Sequence, residues 1–307
     1  MTDFRPEGFY PPAPYSMAAV QRAMTDGRTL EGKVKLCDGE HNLIVDLGIP
    51  HLRAVIPRQE AALGIADGSV RDIAVLSRVN KTCCFSVKSI SHTRDGDVAI
   101  LSRVDVQKKA LEYMLNNLRR GDVVDAKVTH MEPFGAFVDI GCGIVGLMSI
   151  ENISVSRISH PSDRFSVGQN IRAVIKDIDP SAGRFTLSHK ELLGTWEQNV
   201  SSFSAGQTVC GWVRSIEDYG VFIELTPNLA GLAELREGLP EMVDGMRATV
   251  YVKSIIPEKM KIKLNLVDVF PSDGEKAEFR YFEKRDHIKG FTYSPGCCPK
   301  IIQTVFS

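Results

Sequence analysis

Phe134-Gly135-Ala136-Phe137-Val138-Asp139-Ile140 returns further along the chain as Tyr219-Gly220-Val221-Phe222-Ile223-Glu224-Leu225. An offset of 85 residues carries Gly121–Ser149 onto Gly206–Glu234 without a gap, and the glycines, valines and aromatic positions coincide. A repeat at this spacing is one folding unit used more than once. Two aromatics flanking a glycine at a strand start offer flat faces, which makes a nucleobase the first ligand to consider.

Around the first copy, five strands are expected at Val123–Met131, Phe134–Ile140, Ile144–Met148, Asn170–Asp179 and Arg184–His189, with a longer link at 150–169. The second copy repeats this plan with a shorter link: the offset falls to 77, so Gly168 meets Gly245 and Ile178 meets Ile255. Five short strands with a helix-sized link after the third suit a small Greek-key barrel of the OB type. Such a barrel has one interior filled by side chains. Alternation assigns Val124, Ala126, Val128, Ala136, Val138 and Ile140 to it and turns Lys127, Thr129, Phe137 and Asp139 outward.

The expected fold class is therefore all-β, tandem five-stranded OB-fold barrels joined by short helical linkers. The expected division is an extended arm and short helix at 1–27 and a degenerate repeat at 28–103. A helical linker at 104–120 precedes the repeat at 121–190. After a linker at 191–205 come a divergent repeat at 206–268 and an aromatic-basic tail at 269–307. Ser16 is placed to cap the first helix and Asp26-Gly27 to close it. In the linker at 104–120, Val106, Ala110, Leu111, Met114, Leu115 and Leu118 fall at helical spacing, which implies packing on a neighbouring barrel.

Composition narrows the function. The 307 residues are 43 % hydrophobic and 24 % charged with a net charge of −1, which argues against a basic face that coats duplex nucleic acid. Single strands remain open as ligands, because stacking contributes about 1–3 kcal/mol per base with few cations. The seven cysteines include no C-x-x-C, so neither a disulfide framework nor a zinc site is expected, only free thiols in a reducing compartment. No apolar run reaches membrane-spanning length and no signal sequence is evident at the N-terminus, which leads to a cytoplasmic expectation with no membrane partner. The seven histidines lie beside no nucleophile motif, no phosphate-cradling loop exists, and Asp177 and Asp179 lack the cluster a two-metal nuclease uses. No enzymatic role, metal or cofactor is expected.

Gly121-Asp-Val-Val, Lys127-Val128, Phe134-Gly-Ala-Phe-Val-Asp139, Gly146-Leu147, Asp179 and Arg184-Phe-Thr-Leu-Ser188 together resemble the RNA-binding repeat of the bacterial ribosomal protein S1 family. The resemblance is specific over 121–190, looser over 206–268, and weak over 28–103. It implies an OB-fold that holds RNA through two aromatics, a histidine after the Gly-Leu pair, and an Asp and an Arg near the last strand. Carried over, the second repeat keeps Phe134, Phe137, Asp179 and Arg184 but has Ser149 at the histidine position. In the third repeat the aromatics are Tyr219 and Phe222, and Glu234 stands for the histidine. Ile256 and Lys261 replace the Asp and the Arg, and Trp212 takes the outward position of Lys127. The first repeat has His41 and Ile44 where the rings belong. The expected site is thus Phe134, Phe137, Lys127, Asp179, Arg184, Trp212, Tyr219, Phe222 and Lys261, with RNA affinity greatest in the second repeat, weaker in the third and slight or absent in the first.

Two points stay open on pattern alone. Strict alternation would bury Phe134 and expose Phe137, unless Gly135 marks a bulge that shifts the phase; the resemblance implies that both rings are exposed. The tail interleaves Phe279, Tyr281, Phe282, Phe291 and Tyr293 with basic residues, which suits RNA or, as the favoured reading, a hairpin whose rings cover the last barrel. The resemblance implies single-stranded RNA, mRNA in particular, as the ligand. It also implies the small ribosomal subunit as a partner through the N-terminal repeat. The alternative is an RNA-binding regulator or an accessory of RNA decay or transcription.

Overall fold

Residues 4–94, 96–234, 242–272 and 279–306 are described by the structure, a computed structural model; parts of the expected arm and tail, 1–3, 273–278 and 307, lie outside them. Three closed five-stranded barrels follow one another. The first is built from β1 (Leu30–Cys37), β2 (Leu43–Asp46), β3 (Leu52–Ile56), β4 (Thr82–Thr93) and β5 (Gly96–Ser102). The second uses β6 (Val123–Glu132), β7 (Gly135–Gly141), β8 (Ile144–Ser149), β9 (Asn170–Asp179) and β10 (Arg184–Ser188). The third uses β11 (Thr208–Glu217), β12 (Gly220–Thr226), β13 (Leu229–Ala233), β14 (Arg247–Ile256) and β15 (Lys261–Phe270). In each, antiparallel pairs are closed by one parallel contact: β3 with β5, β8 with β10, and β13 with β15. The 85-residue offset carries β6 onto β11 and β7 onto β12, and the 77-residue offset carries β9 onto β14.

Ala126, Val128, Ala136, Val138 and Ile140 fill the second barrel, as their alternation requires. Val124 is only half-buried against that core. Helix α1 (Met17–Asp26) starts where the Ser16 hydroxyl accepts the Ala19 N–H and ends at Gly27 in the left-handed region. After a short α2 (Ile73–Leu76), α3 (Arg103–Asn117) lays Val106, Ala110 and Met114 into the core of the second barrel. The short α4 (Trp196–Val200) buries Trp196 in the third core, 2 % exposed. Truncation of such a ring to Ala costs about 3–5 kcal/mol.

The barrels are locked to one another by buried ions. The arm before α1 runs between the first two, where the Glu7 carboxylate takes Arg103 Nε at 2.6 Å and Nη2 at 2.9 Å. Burial alone would raise the Glu7 pKa, but the charge and hydrogen bonds of Arg103, then Arg78, outweigh it and hold it low. Glu7 N–H donates to Asp139 Oδ2 at 2.8 Å, and Gly141 and Gly143 donate to Oδ1. Asp139 faces out of the barrel interior, as alternation expects, but the arm covers it to 2 % exposure. Burial, then the nearby Glu7 charge, pushes its carboxyl up to about 7.

The same position in the third barrel, Glu224, grips the second: Arg164 Nη2 reaches Oε2 at 2.5 Å and Arg214 Nε reaches it at 2.8 Å. Arg164 and Glu224 are fully buried. Asn228 adds to this junction, accepting the Val155 N–H and donating to the carbonyls of Lys190 and Gly194.

The tail closes the assembly. Phe279 packs on Phe165 and His189, and Tyr281 on His189, all against the second barrel. Tyr293 enters the third core, and β16 (Gly290–Thr292) pairs with β17 (Gln303–Val305) as a hairpin. The rings of the tail therefore cover two barrels, the second as well as the last.

Candidate nucleic-acid interface

In the second barrel Phe134 lies in the turn before β7 and is 55 % exposed, while Phe137 stands half-buried on the outer face. Their rings meet edge to face, centroids 6.1 Å apart and 86° between planes. Tyr219 and Phe222 repeat this in the third barrel at 6.2 Å and 90°, with Tyr219 64 % exposed. Both rings escape the interior because the first of each pair precedes its strand, and no phase shift occurs at Gly135. The bulge lies instead on the neighbouring β6, between Val128 and His130, opposite Val138 and Phe137. Gly135 is needed for another reason: a Cβ there would run into the Met148 carbonyl of β8.

That bulge brings His130 opposite Phe137, where the two rings stack at 6.0 Å and 27°. His130 extends the two-ring patch to three, and the sequence carried no signal for it. Register extends the patch further. Phe137 pairs with Leu147, Leu147 with Thr186, and Thr186 with Asp177, a row across β7, β8, β10 and β9 whose members all face outward. In the third barrel the corresponding row is Phe222, Leu232, Lys263 and Ser254. Lys263, exposed in the place of Thr186, was also missed, although the 77-residue offset points to it.

The remaining expected residues are placed less uniformly. Asp179 and Arg184 are paired and exposed at the end of the β9–β10 hairpin. Because β7 and β10 run in opposite senses, Arg184 and Phe134 lie on opposite sides of the Phe137–Thr186 row. Asp179 also holds its own turn: the Ser181 hydroxyl and the N–H groups of Ser181 and Ala182 donate to it, the hydroxyl first among the causes that lower its pKa. Lys127 is committed to the arm, its ammonium donating to the carbonyls of Glu7 at 3.2 Å and Gly8 at 2.6 Å. Trp212 is half-buried and has one face covered by the Arg247 guanidinium, 4.3 Å from the ring centroid. Lys261 is exposed at the start of β15. In the first barrel His41 is held near Asp72 and Ile44 occupies the place of Phe137, so no ring pair forms.

Among the described residues no group of His, Cys, Asp and Glu could hold a metal ion, and no helix is long and apolar enough to cross a membrane. What the outer face of the second and third barrels offers is aromatic surface with scattered cations. The OB-fold uses this same face, strands two and three, to bind oligonucleotides. The chain is thus a tandem OB-barrel protein of the nucleic-acid-binding class.

Residues 117–190, the second barrel and the end of the helix before it, match the family described as the S1 RNA binding domain. It is 28 % identical to small ribosomal subunit protein bS1 of Staphylococcus aureus (strain COL) over 272 residues, 84 % of this chain and 66 % of that protein. To bS1 of Staphylococcus saprophyticus it is 30 % identical over 190 residues, 56 % of this chain and 48 % of the relative. The chain therefore spans less than two thirds of either relative. A solved multidomain protein with nucleic acid binding domains from Streptococcus pneumoniae aligns with 78 % of this chain and 73 % of its own at 12 % identity, with a TM-score of 0.24.

Proposed function

We propose that the chain binds single-stranded RNA, without a chemical step, across the outer faces of its second and third barrels, and that it presents mRNA at the small ribosomal subunit. The observation that carries this reading is the duplicated ring pair, at 6.1 Å and 6.2 Å with near-perpendicular planes, on two barrels joined by a buried ion cluster. Bases released from a duplex can stack on such rings whatever their identity. Holding two modest sites together raises the effective concentration of the second once the first is filled. The bS1 name of the relatives supports the ribosomal part. The first barrel, which lacks the ring pair, is left for protein contacts with the subunit.

The test has two arms. Affinity for an unstructured RNA oligonucleotide should exceed that for a matched hairpin stem in the same buffer, because a duplex hides base faces. The slope of log affinity against log salt should have a magnitude of about 2–4, at roughly 0.7 per phosphate neutralised on a single strand. Preference for the stem would refute RNA binding by stacking. Sedimentation with small ribosomal subunits at low and high salt tests the rest. RNA binding without co-sedimentation would favour an RNA-binding regulator or an accessory of RNA decay.

A further inference from the structure

We propose that the RNA path runs off the second barrel into a basic groove formed by the end of α3 and the C-terminal tail, where Arg119, Arg120 and Lys289 take backbone phosphates. This rests on the reading above and adds a contact made by segments outside the barrels. The row that starts at Phe137 passes Leu147 and Thr186 and ends at Asp177. Three strand spacings make that roughly 14 Å. At its end Arg120 donates from Nε to the Lys176 carbonyl at 3.1 Å and stands 4.0 Å from Asp177 Oδ1.

The groove there has a volume of about 560 Å³. Ile178 and Phe306 line it together with Arg119, Arg120, Asp177, His287 and Lys289. Arg119, Arg120 and Lys289 are exposed, and among the described residues no carboxylate pairs with the Arg119 guanidinium or the Lys289 ammonium. His287 is taken by Asp122 at 2.7 Å. Asp177 is the opposing charge. Its side chain is 65 % exposed and that of Arg120 48 %, so their pairing is weak and a phosphate can displace it.

An anionic polymer fits this groove better than an apolar or cationic partner. Of such polymers, the one delivered there by the adjoining row of rings is RNA. OB-fold sites cover about 4–16 nucleotides, so a strand seated on the rings has length to reach it.

The experiment compares full-length wild type, the triple variant Arg119→Ser/Arg120→Ser/Lys289→Ser, and Phe134→Ala/Phe137→Ala. Each is titrated with a three-nucleotide and a twelve-nucleotide single-stranded RNA over a range of salt. The triple variant should bind the short RNA as wild type does and the long one at least tenfold more weakly at low salt. Its salt slope on the long RNA should be smaller by about 2, for three phosphates at roughly 0.7 each. An unchanged slope and affinity for the long RNA, with binding lost in the ring variant, would overturn this inference and leave RNA binding by the barrels standing. Wild-type RNA affinity with lost sedimentation on ribosomal subunits would assign the groove to a ribosome contact and overturn it too. If wild type bound neither RNA, both readings would fall.

Discussion

Replacing Glu224 with Gln removes one charge from the junction of the second and third barrels and keeps its shape. The carboxylate lies 2.5 Å from Arg164 Nη2 and 2.8 Å from Arg214 Nε, with Arg164 fully buried and Arg214 12 % exposed. Burial already pulls the Arg164 pKa down, and the Glu224 charge works against that pull. Without it, two guanidiniums that cannot give up their protons face each other out of water. Breaking a buried pair in this way costs about 3–5 kcal/mol. The chain's two tryptophans, Trp196 and Trp212, sit in α4 and on β11, so fluorescence-monitored urea unfolding reports this unit directly. With a urea slope of about 2 kcal/mol/M, the midpoint should fall by roughly 1.5–2.5 M at unchanged slope. Replacing all three residues by apolar ones of similar size should recover most of the loss. A fall below about 0.5 M would refute the view that this cluster holds the barrels together.

Two buried titratable groups and one close backbone contact give further tests. His189 is fully buried, with Nδ1 donating to the Ile153 carbonyl and Nε2 accepting from the Tyr281 hydroxyl, and burial pushes its pKa down to about 4. A depressed imidazole favours folding above the unfolded value of 6.5, and that stability is lost as pH falls through about 4. The stability gap between wild type and His189→Gln should shrink by about 3 kcal/mol from pH 7.5 to pH 3.5, at 1.36 kcal/mol per pH unit; a constant gap would contradict it. Asp139 has the opposite sign, since a raised carboxyl stabilises the fold at low pH and loses that contribution as pH rises through about 7. The decline in urea midpoint from pH 5 to pH 8 should be smaller in Asp139→Asn than in wild type, and an equal decline would contradict the assignment. Gly135→Ala should cost about 1–3 kcal/mol and weaken RNA binding, because its Cβ would push β8 away from the strand carrying Phe137; an unchanged melting temperature would show that β8 yields freely.

The barrel plan was legible because it depends on local alternation and was written twice. The offsets 85 and 77 reproduce β6 on β11 and β9 on β14 to the residue. Phe134 and Phe137 stood out for the same reason. Asp139 did not, because its surroundings are made by Glu7, 132 residues away in sequence, and alternation says only that it leaves the barrel interior. Lys127 was lost to the same arm. The stacking of His130 depends on a bulge at Thr129, where nothing in the residue types marks one. The tail rings gave a pattern that suited both packing and RNA, and Phe165 and His189 decided where Phe279 and Tyr281 pack.

The central claim is that the ring pair of the second barrel carries RNA binding. Its most direct test is the affinity of full-length wild type and Phe134→Ala/Phe137→Ala for one labelled unstructured RNA, with circular dichroism on both. Phe134 is 55 % exposed and Phe137 lies on the outer face, so the spectra should coincide. The double substitution should cost about 2–5 kcal/mol in binding, from the per-base stacking range with allowance for non-additivity. The equivalent Tyr219→Ala/Phe222→Ala change should cost less. Equal affinity of wild type and the Phe134/Phe137 variant for that RNA would contradict the account.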